Sequence, residues 1–171
     1  LSKFKIQDGG GYGIRLISSD NNRIQNSTVT SNGVPGSTGR GIYLTNSNNN
    51  TISNNIITSN GDIAGLGLDL SDNNIISGNT IKGNDGSNGG IFVWYSDSNT
   101  ISNNTIEDND GDGIYLMGSD NNTISYNTIK DNEDDGIYLR DSDNNTISDN
   151  TIKDNGESGI YLDDSDSNTI S

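Results

Sequence analysis

The sequence contains no cysteine and no histidine, one methionine, one proline and one tryptophan. Each absence removes a class of chemistry. Without Cys or His, zinc, haem, iron–sulfur and copper centres have no good ligands, and neither a Ser-His-Asp nor a Cys-His nucleophile can be assembled. Basic residues are scarce as well: nine Lys plus Arg stand against 24 Asp plus Glu, giving a net charge of −15 over 171 residues. Such a chain is a poor partner for the phosphate backbone of a nucleic acid, whose binding depends on clustered cations. No apolar run approaches the ~20 residues that a membrane span requires. Large apolar side chains are few too, so composition by itself does not decide between a folded and a disordered chain.

The order of the residues decides it. Gly113-Ile114-Tyr115-Leu116 returns as Gly136-Ile137-Tyr138-Leu139 and Gly159-Ile160-Tyr161-Leu162. Towards the N-terminus the same segment reads Gly90-Ile91-Phe92-Val93, Gly65-Leu66-Gly67-Leu68, Gly41-Ile42-Tyr43-Leu44 and Gly13-Ile14-Arg15-Leu16. The period is about 23 residues, with small insertions in the early repeats, the longest lying at 33–40. Aligned on this period, four columns are aliphatic throughout, headed by Ile14, Leu16, Leu1 and Ile6. The side chains at Ile114 and Leu116 lie two apart, which is strand alternation, and Tyr115 between them belongs to the opposite face. Each repeat offers three such short segments, and Gly, Asn, Asp and Ser fill the joints where the chain must turn. Three short strands per period leave no room for a helix. The expectation is an all-β, right-handed parallel β-helix of about seven coils, forming one solenoid over residues 1–171.

Asparagine recurs as regularly as isoleucine. Asn22, Asn50, Asn74, Asn99, Asn122, Asn145 and Asn168 form one column. Asn32, Asn60, Asn84, Asn109, Asn132 and Asn155 form a second, and a third contains Asn55, Asn79, Asn104, Asn127 and Asn150. A side-chain amide carries both a donor and an acceptor, so stacked Asn residues satisfy polar groups at buried corners. These columns are expected to be structural ladders.

The repeating run Gly-Ile-Tyr-Leu-x-x-Ser-Asp-Asn-Asn-Thr-Ile-Ser-x-Asn-Thr-Ile resembles the right-handed β-helix repeat of the pectin-lyase-like superfamily. It is most similar to the repeats of carbohydrate-binding proteins and sugar hydrolases and of the periplasmic copper-binding β-helix family. The resemblance covers essentially the whole chain and implies the fold. Its enzymes include polysaccharide lyases, polygalacturonases and uronan epimerases, and the residues those would imply are largely missing here. There is no His for an epimerase, there are almost no long loops to wall a cleft, and only Arg140 among the basic residues lies amid acids (Asp141, Asp143). The copper family's role would rest on Met117, the sole soft side chain.

Three surface features remain. The first is an outward aromatic stripe, Tyr43, Phe92, Tyr115, Tyr138 and Tyr161, with Trp94 and Tyr95 beside Phe92. Flat rings exposed in a row suit stacking on sugar faces, lateral packing against another protein, or simple strand-to-strand stabilisation. The second is acid stacking at the joint before the Gly-Ile-Tyr-Leu strand, where Asp108, Asp110 and Asp112 fall one coil below Asp131, Glu133 and Asp135. Like charges one strand apart repel, so a structural Ca²⁺ between coils is one expectation and a solvated acidic face the other. A further acidic column holds Asp20, Asp72, Asp97, Asp120, Asp143 and Asp166. The third is a set of sequons open to glycosylation, beginning at Asn26, Asn49, Asn103, Asn121 and Asn144.

Leu1-Ser2 falls in the same register as Ile170-Ser171, so the segment breaks mid-strand at both ends. The reading is therefore of a piece of a longer chain, or of coils covered end to end or side by side by copies of itself. The expected function is a non-catalytic structural β-solenoid, such as a shaft, adhesin stalk or filament subunit, in an extracellular or cell-surface setting. A carbohydrate-binding module using the aromatic stripe is the alternative. A polysaccharide lyase or hydrolase whose catalytic loops lie outside this segment is a third reading.

Overall fold

A computed structural model describes residues 1–33 and 39–171, together with the backbone but not the side chain of Asp62. The centre of the expected insertion at 33–40 thus lies outside the described residues. Every strand pairing is parallel, and three seven-stranded sheets wind around one axis. The first sheet is built from Ile14–Ile17, Arg40–Thr45, Ala64–Asp69, Ile91–Trp94, Ile114–Met117, Ile137–Arg140 and Ile160–Asp163. The second runs through Arg23–Gln25, Thr51–Ser53, Ile75–Ser77, Thr100–Ser102, Thr123–Ser125, Thr146–Ser148 and Thr169–Ile170. The third contains Lys5–Gln7, Thr28–Thr30, Ile56–Thr58, Thr80–Lys82, Thr105–Glu107, Thr128–Lys130 and Thr151–Lys153. Among the described residues there is no helix.

Register follows the sequence period without slippage. Ile124 pairs with Ile101 and Ile147, and Tyr138 with Tyr115 and Tyr161. The four aliphatic columns meet inside: Ile42, Leu44, Ile52 and Ile57 are fully buried, as are Ile114, Leu116, Ile124 and Ile129. A slip of one residue would turn a whole column outward, and this is why two-residue alternation fixes the register so firmly. Where the stack ends, the same columns are open, with Leu1 and Ile170 more than half exposed.

The corners obey a rule of their own. A residue in left-handed backbone ends the strand, and the next residue points its polar group inward. Thus Asn103 (φ +56°) precedes buried Asn104, and Asp131 (φ +55°) precedes buried Asn132. Left-handed backbone is cheap for Gly, Asn and Asp and costly for bulky side chains. Most corners comply, but Leu70 (φ +49°), Tyr95 (φ +43°) and Tyr126 (φ +57°) do not.

The inward residues then bond up the stack. Asn104 donates both its backbone N–H and its side-chain amide to the Asn127 carbonyl oxygen, at 2.9 and 3.0 Å. Asn127 in turn donates its amide to Ile101 O and to Asn150. The column through Asn122 works differently. Its backbone N–H groups donate to the next side-chain oxygen, as from Asn122 to Asn145 at 2.7 Å, while the amides turn to backbone carbonyls or stay unbonded. Buried serines make a further ladder, Ser96 N–H donating to Ser119 Oγ at 3.1 Å.

Candidate functional site

The outward side of the first sheet differs from the other two, which present mainly Thr, Ser and Lys. Its central column reads Arg15, Tyr43, Gly67, Phe92, Tyr115, Tyr138 and Tyr161, each paired in register with the next. The aromatic members stack along the rod. Tyr115 and Tyr138 have ring centroids 4.7 Å apart and planes within 6°, and Tyr138 and Tyr161 are 5.0 Å apart within 16°. Phe92 continues the column towards Tyr115 at 5.1 Å and towards Trp94 at 6.4 Å, and Trp94 meets Tyr95 at 5.6 Å.

This geometry corrects the expectation of flat rings laid open in a row. Rings that stack on one another consume their own faces and offer solvent their edges. Tyr43 and Phe92 are in fact buried, at 7% and 6% exposure; only Trp94 (38%), Tyr95 (54%) and Tyr161 (45%) are substantially open. Three of the edges carry hydroxyls tied to the residue two beyond the column in the following coil. Tyr43 donates to Asp69 at 2.6 Å, Tyr138 donates to Asp163 at 3.3 Å, and Tyr115 is bonded to Arg140. Burial, then the neighbouring Tyr115 and Asp163 charges, push the Tyr138 hydroxyl up to about 12, so it is a donor across the physiological range. The face thus presents phenol edges at Tyr43 and, in three successive coils, at Tyr115, Tyr138 and Tyr161, which can bond to hydroxyls of a chain laid along it.

At the N-terminal end the column changes chemistry. Tyr12 stacks on Tyr43 at 5.2 Å, and the Arg15 guanidinium lies over both rings, at 4.8 and 5.6 Å. The Arg40 guanidinium also sits 4.2 Å from the Tyr43 ring centroid and is hydrogen-bonded to Tyr12. Arg40 is only 7% exposed, and burial drags its pKa down against the opposing pull of Tyr43, Tyr12 and Asp69. Tyr43 is raised, first by burial and then by its bond to Asp69. Sequence reasoning did not single out Tyr12, Arg15, Arg40 or Asp69 as a group. The signal available was departure from the repeat: Arg15 and Gly67 stand where other coils place a ring. Charge runs the same way. Five of the nine basic residues but only two of the 24 acids precede Gly41, so that end carries a surplus of three positive charges while the rest carries a deficit of eighteen.

The acidic joint does not form the expected calcium site. Asp108 is held by Lys82 at 2.9 Å and Asp131 by Lys130 at 2.9 Å, with Glu107 bridging the two lysines. Asp110 and Glu133 are exposed, whereas Asp112 and Asp135 are buried and turn inward. Among the described residues no three acidic side chains converge on a point that could hold an ion. Repulsion is relieved by backbone instead: Asp112 Oδ1 accepts the Asp135 N–H at 3.0 Å, and Asp135 Oδ1 accepts the Ser158 N–H at 2.6 Å. Asp120 Oδ1 likewise accepts from Asp143, and Asp143 Oδ1 from Asp166, so the second acidic column is a hydrogen-bonded ladder. Burial, with Asp135, Asp134 and Glu157 nearby, raises the Asp112 carboxyl to about 7. The sequon residues Asn26, Asn49, Asn103, Asn121 and Asn144 all sit on exposed left-handed corners. No enclosed cavity occurs among the described residues, so any ligand meets an open face.

Comparison with known proteins places this architecture. The family model described as the right handed beta helix region matches residues 65–171, and that of the periplasmic copper-binding protein (NosD) matches residues 1–110. No curated protein matches the sequence. Among solved structures, the periplasmic alginate epimerase AlgG superposes with a TM-score of 0.84 at 20% identity, over 98% of this chain and 44% of that one. The A-module of the Azotobacter vinelandii mannuronan C-5 epimerase AlgE4 gives 0.60 at 16% identity, over 100% and 57%. The enzymatically active domain of bacteriophage CBA120 tailspike protein 2 gives 0.57 at 14%, over 96% and 35%. This chain therefore spans less than half the length of the epimerase AlgG. The expectation of a non-catalytic stalk or filament subunit is corrected here: the solved structures named above, which share this architecture, are epimerases and an enzymatically active tailspike domain. Copper, which the second family name carries, does not suit the donors present, since Met117 is the sole soft side chain and Cys and His are absent.

Proposed function

From a chain that belongs to the right-handed β-helix family over residues 65–171, and to the periplasmic copper-binding (NosD) family over 1–110, we propose a polysaccharide-acting role in which a glycan lies along the outward face of the first sheet. The observation that carries this reading is the continuous ring column from Phe92 to Tyr161, in which Tyr115, Tyr138 and Tyr161 set phenol edges in three successive coils. A polymer with regularly spaced hydroxyls meets such a column many times, and weak contacts repeated in register add to a useful affinity. Trp94 and Tyr95, open rings beside the column, supply a surface where a sugar face can stack. The enzymes of similar architecture named above support placing this chain in the same trade, and an envelope or extracellular setting accords with the periplasmic names among them.

Affinity electrophoresis of the protein in gels containing neutral and acidic polysaccharides tests the reading, together with assays for reducing ends and unsaturated products. At least one glycan is expected to retard the protein. Tyr115→Phe combined with Tyr138→Phe, which removes hydroxyls without removing rings, is expected to weaken that retardation about tenfold, and Trp94→Ala about as much. Unaltered mobility in every glycan, with no product released, would remove the reading.

A further inference from the structure

Each strand of the first sheet is followed by a residue in left-handed backbone. In five coils that place is filled by Ser18, Asn46, Gly118, Asp141 or Asp164, small or polar types that adopt such dihedrals at little cost. Leu70 (φ +49°) and Tyr95 (φ +43°) break the pattern, and they gain little burial in exchange, being 52% and 54% exposed. They stand in adjacent coils, with Leu70 N–H donating to Trp94 O at 3.1 Å. Backbone strain held at exposed positions points to a surface shaped for something outside the chain. The following coil makes room for it. A Cβ on Gly118 would lie 2.5 Å from Tyr95 Cε1, so the Tyr95 ring rests on a place that glycine leaves open. Trp94, 38% exposed, meets Tyr95 at 5.6 Å, and with Leu70 the two rings make an apolar corner beside the aromatic column.

The charge beside this corner is of one sign. Asp72 and Asp97 stand two residues beyond Leu70 and Tyr95, and Asp120 follows in the next coil. Their carboxylates are pinned along the surface, because Asp72 Oδ1 accepts the Asp97 N–H and Asp97 Oδ1 the Asp120 N–H, both at 2.8 Å. Among the described residues no Lys or Arg forms an ion pair with any of the three. Arg140, two coils on in the Trp94 column, is engaged with Tyr115 instead. Negative charges one strand spacing (~4.8 Å) apart repel, and a cation laid against them relieves the repulsion. Trp and Tyr rings attract cations as well. On a glycan-facing surface the group that fits both is a sugar with a protonated amine: its C–H face covers the rings and its ammonium meets the carboxylates. An acidic sugar would be repelled at this corner.

We propose that the corner formed by Leu70, Trp94 and Tyr95, with Asp72 and Asp97 beside it, is a subsite that selects polysaccharides whose sugars carry free amino groups. The proposal rests on the reading of the first sheet as the glycan-facing surface and names the substrate class of that surface. It assigns selectivity to this corner and general hydroxyl contacts to the tyrosines of the later coils.

A matched set of hexamers isolates the amine: the β-1,4-linked hexamer of glucosamine, its fully N-acetylated form, and the corresponding hexamer of glucose. Titration calorimetry is run at about pH 5.5, where sugar amines and surface carboxylates are both charged. The glucosamine hexamer is expected to bind about ten times tighter than either neutral one, with the margin shrinking as salt is raised. The Asp72→Asn, Asp97→Asn double variant keeps the oxygens that accept the backbone N–H groups and loses only charge. It is expected to abolish the preference while the neutral hexamers bind as before. Tyr95→Asn installs a residue that its corner favours, so the fold persists, and the preference should fall several-fold. Asp166→Asn, three coils beyond Asp97 in the same column, should leave it unchanged. Equal binding of the three hexamers, or a preference that survives either the double variant or Tyr95→Asn, would overturn the subsite and leave the glycan surface standing. An equal fall in Asp166→Asn would mean diffuse attraction to an acidic rod and overturn it too. Hexalysine binding tighter than the glucosamine hexamer, or a dimer that Tyr95→Asn abolishes, would give the corner to a basic peptide or a second copy, against the proposal. Binding of no hexamer would also overturn the subsite, and the polysaccharide gels then decide the surface separately.

Discussion

Asp112 shows how much a single buried position can differ from its sequence neighbours. Its exposure is 6%, and its carboxylate accepts the Asp135 N–H while Asp134 and Glu157 add negative charge around it. A carboxyl held near 7 in the folded chain and near the ordinary value when unfolded binds its proton more tightly when folded. Its contribution to stability is therefore whole below pH 4 and lost as pH rises through 7. Asp112→Asn keeps an oxygen for the Asp135 N–H but cannot ionise. Between pH 4 and 8 the variant should lose this part of the pH dependence and be more stable than the parent at pH 8 by about 1–2 kcal/mol. Chemical denaturation at several pH values measures this, and coincident profiles for the two proteins would refute it. Nothing in the spacing of Asp108, Asp110 and Asp112 said which would be buried. That depends on which side of the joint each faces, and the inward turn of Asp112 is a tertiary fact.

At the scale of the element, the corners carry the fold as much as the strands do. Asn127 receives two hydrogen bonds from Asn104 and gives two more, all in a site 1% exposed. Asn127→Ala strands those partners without water and should cost about 2–4 kcal/mol. The neighbouring Tyr126→Asn restores the residue type that its left-handed corner favours and should change stability by less than about 0.5 kcal/mol, although Tyr126 has a bond to Asp149. Thermal melting followed by circular dichroism compares the two, and similar losses for both would show that corner geometry, not the ladder, governs. The three Asn columns were legible because their period is strict and an amide is self-complementary. The left-handed corners at Leu70, Tyr95 and Tyr126 were not legible, because backbone dihedrals there are imposed by the coil against the preference of the residue.

For the molecule as a whole, each coil touches only the coils above and below it, so stability is a chain of nearest-neighbour terms. The outermost coils have one neighbour and open core positions, with Ile170 54% exposed against 0% for Ile124 in the same column. Native-state hydrogen exchange in this 171-residue chain should therefore show the amides of Ile101 and Ile124 protected at least about a hundredfold more than those of Ile6 and Ile170. Uniform protection along the rod would indicate that the coils unfold as one unit instead. The same one-dimensional design lets the chain hold a positive end and a strongly negative body without a compensating core rearrangement, since charges sit on outward columns that packing does not use.

Period and alternation were enough to specify the parallel β-helix, its seven coils, its aliphatic interior and its asparagine ladders, because in-register stacking makes each of these a repeated local choice. What faces outward was decided in three dimensions. Stacking turned the tyrosine faces towards one another and left their hydroxyl edges outside, and backbone amides took acids for which a bridging metal ion and a solvated face were the two alternatives. Arg40 moved into a layer that the sequence marks only as a glycine. The repeat constrains which side of a strand a residue occupies, but the neighbour one coil away determines what its side chain can still touch.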